Sequence, residues 1–325
     1  MIHIRLGTRG SALARWQAEH TADLLRAVDP ALTIELIILS SLGDRVPDAP
    51  LRAIAGKGAF TSDIEAALLD GRIDVAVHSL KDLPTRGDPA LTIAAIPQRG
   101  RVADALIARS GAPLADLPPG AVIGTSSTRR AAQVLAARPD LVIAPIRGNV
   151  DTRIAKALSS DGTYDGVILA AAGLDRLGRL DVVTEMLSIE LMLPAPGQGA
   201  LAVQCRADDA DLITLLARID HRETRAAVSA ERGFLAGLGT GCSLPVAAFA
   251  TFIEGDFYFD GRVFSPDGSR VIRVGAPASA RIMANIPAIA AAVGESQAQY
   301  ALTLGAADLI AAYPSSVSSI EPETD

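Results

Sequence analysis

Two periods alternate along the first hundred residues. "IHIRL" and "LTIELIIL" are apolar runs of strand length, and between them "SALARWQAEHTADLLRAV" places Leu13, Trp16, Leu24, Leu25 and Val28 on one helical face. "TSDIEAALLDGRI" predicts a short helix, with Ser62 and Glu65 spaced as a capping box and Gly71 as a C-terminal stop. "DVAVHS" and "LTIAAI" return to strand patterning. Strands alternating with helices in this way predict an α/β domain with a mostly parallel sheet.

The same logic restarts near residue 100. "IRLGTRGSALARW" is echoed by "AVIGTSSTRRAAQ": an apolar strand, Gly-Thr, then a helix opening rich in Ser and Arg. "LVIAPIRGNVDTRIAKAL" reads as strand, loop and helix, and "YDGVILAAAGLDRLG" as strand, turn and arginine. "LPAPGQGALAVQCR" (193–206) is dense in Pro and Gly before turning apolar, which suits a return crossover and, with a first crossing near 97–104, a hinge. From about 219 follow a helix (221–236), the loop "GLGTGCSLPV" and the strands "VAAFATFIE", "DFYFDGRVFS" and "SRVIRVG". An Ala-rich helical region (279–312) closes the pattern. The expected organisation is a first α/β lobe from 1–98 plus 199–218, a second from 99–198, a small α+β domain over 219–313, and a disordered tail over 314–325.

Composition narrows the function. Over 325 residues, 49% are apolar and the net charge is −7, which argues against a general nucleic-acid or anionic-membrane binder. The N-terminus lacks the long apolar run of a secretory signal, and "GVILAAAGL" is too short to span a bilayer. Two cysteines far apart make no disulfide framework, and His3, His20, His78 and His221 show no metal-site spacing. A soluble cytosolic protein without a structural metal is expected. Of thirty basic side chains only Lys57, Lys81 and Lys156 are lysines, so Arg, with its planar fork for carboxylates and phosphates, dominates.

Those arginines fall where strands end and helices begin, the ligand-binding edge of open α/β sheets. Arg9 and Ser11 flank the first Gly-Thr turn, while Ser126, Ser127, Thr128, Arg129 and Arg130 flank the second. Arg147, Arg153 and Arg176 follow later strands. Each Ser or Thr could be an ordinary cap, and each Arg a solvated charge. Together they read as a cleft for a small polyanion. In "AVHSLKDLPT" a strand exit leaves Ser79, Lys81 and Asp82; Asp82 reads either as half of a surface pair or as a general acid/base. "AIAGKGAF" is not a Walker A motif, since Gly58 and Leu51 stand at required positions, and "GLGTGC" is not a dinucleotide fingerprint. The 43–60 connection, with three glycines and two prolines, reads as a mobile cover. Cys205 reads as a core thiol. Cys242 sits among glycines with no base nearby, either inert or functional.

Taken in order, "GTRGSALARWQA", "GKGAFTSDIEAALLDGRIDVAVHSLKDLPT", "IGTSSTRRAAQ", "IRGNVDTRIAK", "ILAAAGLDRLG", "PAPGQGALAVQCR" and "GTGCSLPV" resemble the porphobilinogen deaminase (hydroxymethylbilane synthase) family over about residues 2–310. The resemblance implies three domains, the first two built like the lobes of a periplasmic binding protein. It implies a monomeric, cytoplasmic transferase that condenses four porphobilinogen molecules head to tail, releasing ammonia, in tetrapyrrole synthesis. It implies a dipyrromethane cofactor held by a thioether to the cysteine matching Cys242, and a catalytic Asp matching Asp82. Arg9, Ser11, Lys81, Ser127, Arg129, Arg130, Arg147, Arg153 and Arg176 match carboxylate-binding positions, and Gln17 and Gln198 match polar cleft residues. Lys57, Ser79, Thr125, Ser126 and Gly148 complete the implied binding set. The 43–58 loop matches a segment that closes over the site. Ala53, Thr240 and Thr128 depart from common family residues, which touches loop detail only. The rival readings are a non-catalytic two-lobed anion binder and a phosphate-handling enzyme, the latter disfavoured by the failed nucleotide motifs.

Overall fold

A computed structural model describes residues 3–39, 62–239, 244–276 and 286–313. The expectations for the 43–60 connection, Ala53, Lys57, Thr240, Cys242 and the 314–325 tail lie outside these residues. The first stretch of chain forms β1 (His3–Arg9), α1 (Ala12–Val28), β2 (Thr33–Leu39), α2 (Ser62–Leu69), β3 (Val75–Ser79) and β4 (Leu91–Ala95). The next forms β5 (Asp104–Ala108), β6 (Val122–Gly124), α3 (Thr128–Ala137), β7 (Val142–Ala144), α4 (Val150–Leu158), β8 (Gly166–Ala170), α5 (Ala171–Arg176) and β9 (Glu185–Met186). Then come β10 (Leu201–Arg206), α6 (Ala210–Leu216), α7 (Arg222–Gly237), β11 (Val246–Ile253), β12 (Asp256–Phe264), β13 (Val271–Ala276), α8 (Pro287–Thr303) and α9 (Ala306–Ala311).

Two five-stranded sheets repeat one plan. The first has the order β2-β1-β3-β10-β4 and the second β7-β6-β8-β5-β9. In each, the first three strands are parallel and the fourth is antiparallel to both neighbours. That fourth strand is always the one the chain forms just after crossing over from the other sheet. The echo between "IRLGTRGSALARW" and "AVIGTSSTRRAAQ" is therefore matched by strand order. A third, antiparallel sheet, β11-β12-β13, packs on α7 and α8 around the buried Phe234 and Phe257. The class is α/β, with two sheet-bearing lobes and a small C-terminal α+β unit.

Local chemistry sets the element boundaries. Ser11 caps α1 by accepting from the Ala14 N–H at 3.3 Å, Ser127 caps α3 from Arg130 at 3.4 Å, and Asn149 caps α4 from Thr152 at 2.9 Å. Gly71, at φ +68°, ends α2 as its sequence implies. Glu65 Oε1, in the first turn of α2, accepts from Gln204 Nε2 at 3.1 Å. Residues 171–176 are helical where a turn is expected, because β8 feeds directly into α5. The Ala-rich region is broken at Gly305, φ +95°, into α8 and α9.

The crossovers lie side by side: the Gly100 N–H donates to Gly199 O at 3.1 Å, and Arg99 Nε donates to Gln198 O at 2.7 Å. Gly197 and Gly199 both hold positive φ, at +76° and +85°. A Cβ at Gly199 would stand 2.6 Å from the Arg101 carbonyl, so "PGQG" is required by the close pairing of the two connections. The C-terminal unit packs against both lobes. Ala132 and Leu193 meet Ala247 and Phe264, while Leu80, Leu83, Ile96 and Ala200 meet Val228 of α7.

Candidate active site

The site is assembled where the crossovers pass the ends of β3 and β6. Strand β3 ends at Ser79, whose Oγ accepts from Gln17 Nε2 at 3.0 Å, tying the strand exit to buried α1. A single 3-10 turn, Leu80–Asp82, follows. Leu80 and Leu83 are buried at 0% and 3% exposure, while Asp82 between them is exposed. The turn is thus rooted in the core and presents one carboxylate outward. Lys81 is half-buried and its Nζ donates to Gln198 Oε1 at 3.4 Å.

Gln198 passes this contact to the second lobe. Its Nε2 donates to Asp104 Oδ1 at 3.1 Å and to Val102 O at 2.7 Å. Asp104, fully buried at the start of β5, takes Arg130 Nε and NH2 on the same oxygen at 3.0 and 2.7 Å. Arg129 NH2 lies 2.8 Å from Oδ2, an ion-pair contact whose angle falls short of a directed hydrogen bond. Burial would raise the Asp104 pKa, but Arg129, Arg130 and Lys81 overcome it and hold the carboxyl at about 2. Burial, reinforced by Arg130 and only partly offset by Asp82 and Asp104, lowers Lys81 to about 8.

The remaining arginines line the second lobe's side. Arg153 donates through Nε to the Gly148 carbonyl at 2.8 Å. Its pKa is lowered by burial, then by Arg130 and Arg147, with no carboxylate acting against them. Neither Arg147 nor Arg153 forms an ion pair among the described residues. Arg176 donates to Gly199 O at 2.7 Å, lies 5.6 Å over the Trp16 ring, and is lowered to about 10, chiefly by burial. Lys81, Arg129, Arg130 and Arg153 thus lie close together with Asp104 the one buried carboxylate named against them among the described residues, an arrangement suited chemically to a small molecule bearing several carboxylates.

The hydroxyl residues are locally engaged. Ser11 and Ser127 cap their helices; Thr125 is buried and its Oγ1 accepts from the Ser127 N–H at 3.1 Å. Ser126 bridges to residue 146, donating to Ile146 O at 2.8 Å and accepting its N–H at 3.1 Å. Gly148, at φ +113°, turns the loop between Arg147 and α4. Arg9 is half-buried at the end of β1. Lys57 and Cys242 lie outside the described residues.

Sequence reasoning passes over Asp104, Gln133 and Glu231. Gln133 is buried and exchanges hydrogen bonds with the Leu193 backbone, donating at 3.1 Å and accepting at 2.8 Å. Glu231 grips Arg99 through both oxygens at 2.7 and 3.0 Å and accepts the N–H groups of Gly197 and Ala250. Its signal is legible: an acid on the apolar face of a helix, beside Ala227, Ala230 and Phe234.

Among the described residues there is no cluster of metal-binding side chains, and no helix is long and apolar enough to cross a membrane. Residues 4–214 match the family profile described as porphobilinogen deaminase, dipyromethane cofactor binding domain, and 225–294 match porphobilinogen deaminase, C-terminal domain. The porphobilinogen deaminase of Mycobacteroides abscessus is 48% identical over 317 residues, covering 94% of this chain and 99% of that protein. That of Mycobacterium marinum is 51% identical over 280 residues, covering 83% and 87%. Among solved structures, the methionine binding protein MetQ covers 67% of this chain and 89% of its own at 13% identity and TM-score 0.38. Profile and relatives agree over most of the length, and the chain belongs to the porphobilinogen deaminase family.

Proposed function

We propose that this chain condenses four porphobilinogen molecules head to tail into hydroxymethylbilane, releasing ammonia at each step, on a dipyrromethane primer attached to Cys242. The observation that carries this reading is the cation cluster of Lys81, Arg130, Arg147 and Arg153. Two of those arginines have no carboxylate partner among the described residues, and the cluster lies beside a turn that exposes Asp82. Each pyrrole of substrate and cofactor carries an acetate and a propionate, so the residues present fit the group. Arg147, Arg153, Arg176 and Lys81 would hold its carboxylates, with Arg129 and Arg130 fixed behind them by Asp104.

When bound, the dipyrromethane supplies the nucleophilic pyrrole carbon. Asp82 accepts the pyrrole N–H of the incoming substrate and faces the positive charge that develops on that ring as the C–N bond breaks and ammonia departs. The same carboxylate is placed to take up and return protons. Lys81 neutralises substrate carboxylates, and Gln17 with Ser79 steadies the strand end from which Asp82 projects. Arg9, Ser11, Lys57, Thr125, Ser126, Ser127, Gly148 and Gln198 complete the binding surface and its backbone support. The labour divides between 1–98 plus 199–218, 99–198, and 219–313. We place the enzyme in the cytoplasm as a monomer, with light scattering on the purified protein as the check of its mass.

Intact-mass measurement tests the tether. The wild type is expected to exceed its polypeptide mass by one dipyrromethane and Cys242→Ser to lack the increment; an active, unmodified wild type would overturn the assignment. Asp82→Ala is expected to keep the increment and lose about a hundredfold or more in turnover.

A further inference from the structure

Asp82 makes no side-chain hydrogen bond or ion pair with any described residue, so its position is set by the backbone of its turn. That backbone is gripped from the C-terminal unit. Arg232, half-buried on α7, donates through NH1 to Leu83 O at 3.1 Å and Leu80 O at 3.4 Å, and through NH2 to Pro84 O at 2.6 Å. These three carbonyls flank Asp82 on both sides. One helical turn earlier, Val228 packs under Leu80 and Leu83 from the same face of α7. On the lobe's own side the turn has the Leu80 N–H on Ala200 O at 3.0 Å and the Leu83 N–H on Leu80 O at 3.2 Å. The Leu80 and Leu83 N–H groups are thus held within the first lobe, while one guanidinium from another unit reaches all three flanking carbonyls.

We propose that Arg232 is a positioning residue for the reaction: it fixes the Leu80–Pro84 backbone so that Asp82 stands where the reacting pyrrole meets it. This rests on the reading of Asp82 as the catalytic carboxylate. The planar fork of Arg spans three acceptors at once, whereas an ammonium in its place reaches only part of them. The grip acts on where the carboxylate sits and leaves the carboxylate-binding arginines untouched. Its loss therefore falls on the chemical step, because reacting groups displaced by about 1 Å can lose about a hundredfold in rate.

The test is a double-mutant cycle on cofactor-loaded enzyme, with loading read by intact mass. Arg232→Ala is expected to lower kcat about tenfold to a hundredfold with KM within about twofold, and Arg232→Lys to recover part of that loss. On an Asp82→Ala background, Arg232→Ala is expected to change the residual rate less than about twofold. A full, additive loss on that background, an effect confined to KM, or an unchanged kcat would overturn the proposal. If Arg232→Ala does not fold, Arg232→Lys enters the same cycle. Near-normal turnover of Asp82→Ala alone would instead refute the catalytic assignment of Asp82, an outcome separate from all of these.

Discussion

Asp104 shows how much of a cation cluster can rest on one buried carboxylate. It is fully buried with Arg129 and Arg130 against it and is reached by Lys81 through Gln198. Removing it strands two buried guanidinium groups, so Asp104→Ala is expected to lower stability by about 3–5 kcal/mol in urea unfolding. Its folded pKa is depressed, so its stabilisation is complete above about pH 4 and is lost as pH falls through about 2. Lys81 has the same sign of pH dependence in a higher window. Its folded pKa, about 8, lies below the unfolded value, so the unfolded chain keeps its proton longer and this residue's contribution to stability rises between about pH 8 and 10.5. If Lys81 faces substrate carboxylates as proposed, the ammonium it offers them is lost as pH rises through about 8. kcat/KM is expected to decline above about pH 8, and Lys81→Arg, which stays charged, to remove that inflection from the pH profile. The surface arginines are readable in the sequence because they stand at strand ends. Asp104 is not, because an acid opening the apolar run "ALIA" gives no hint of a partner 25 residues on.

Helix α7 joins units that the sequence shows only separately. Glu231 holds both crossovers, Arg232 holds the Asp82 turn, and Val228 lies beneath that turn. Gly233 and Gly294 let α7 and α8 approach so closely that a Cβ at either would collide with the opposing backbone. This explains why the Ala-rich α8 carries no amphipathic stripe: its contact surface is backbone and methyl groups. The second crossover bears on the same turn. A Cβ on Gly197 would meet Leu80 Cγ at 3.1 Å and the Lys81 nitrogen at 3.3 Å, in a backbone of φ +76° that side chains disfavour. Gly197→Ala is therefore expected to destabilise by about 1–3 kcal/mol and to reduce kcat, measured by thermal unfolding beside steady-state kinetics. Most strands and helices announce themselves by period. The exceptions include two-residue β9, too short for any period, and α5, where "AAGLDR" reads as a turn until β8 is seen to run into it; β5 ("DALIA") and α6 ("ADLITLL") are also passed over in the pattern.

The two lobes share one strand order, and the motif echo at 4–16 and 121–133 already suggests two similar lobes. The expected return of 199–218 to the first lobe leaves open where in each sheet the crossing strand inserts. The first sheet holds β10 between β3 and β4, and the second holds β5 between β8 and β9. The crossovers are hydrogen-bonded to each other, and Arg99 and Glu231 fasten them to the C-terminal unit, so the three parts meet on one pair of short connections. The placement of β10 also bears on synthesis from the N-terminus. When residue 98 has been made, β4 has no neighbour in its sheet, because the strand that separates it from β3 is still more than a hundred residues away. The second sheet, whose strands all fall between residues 104 and 186, is fully synthesised before β10. On the ribosome, the lobe begun first is the one completed second, and until residue 206 has emerged the segment bearing Asp82 waits, half a sheet, for its missing strand.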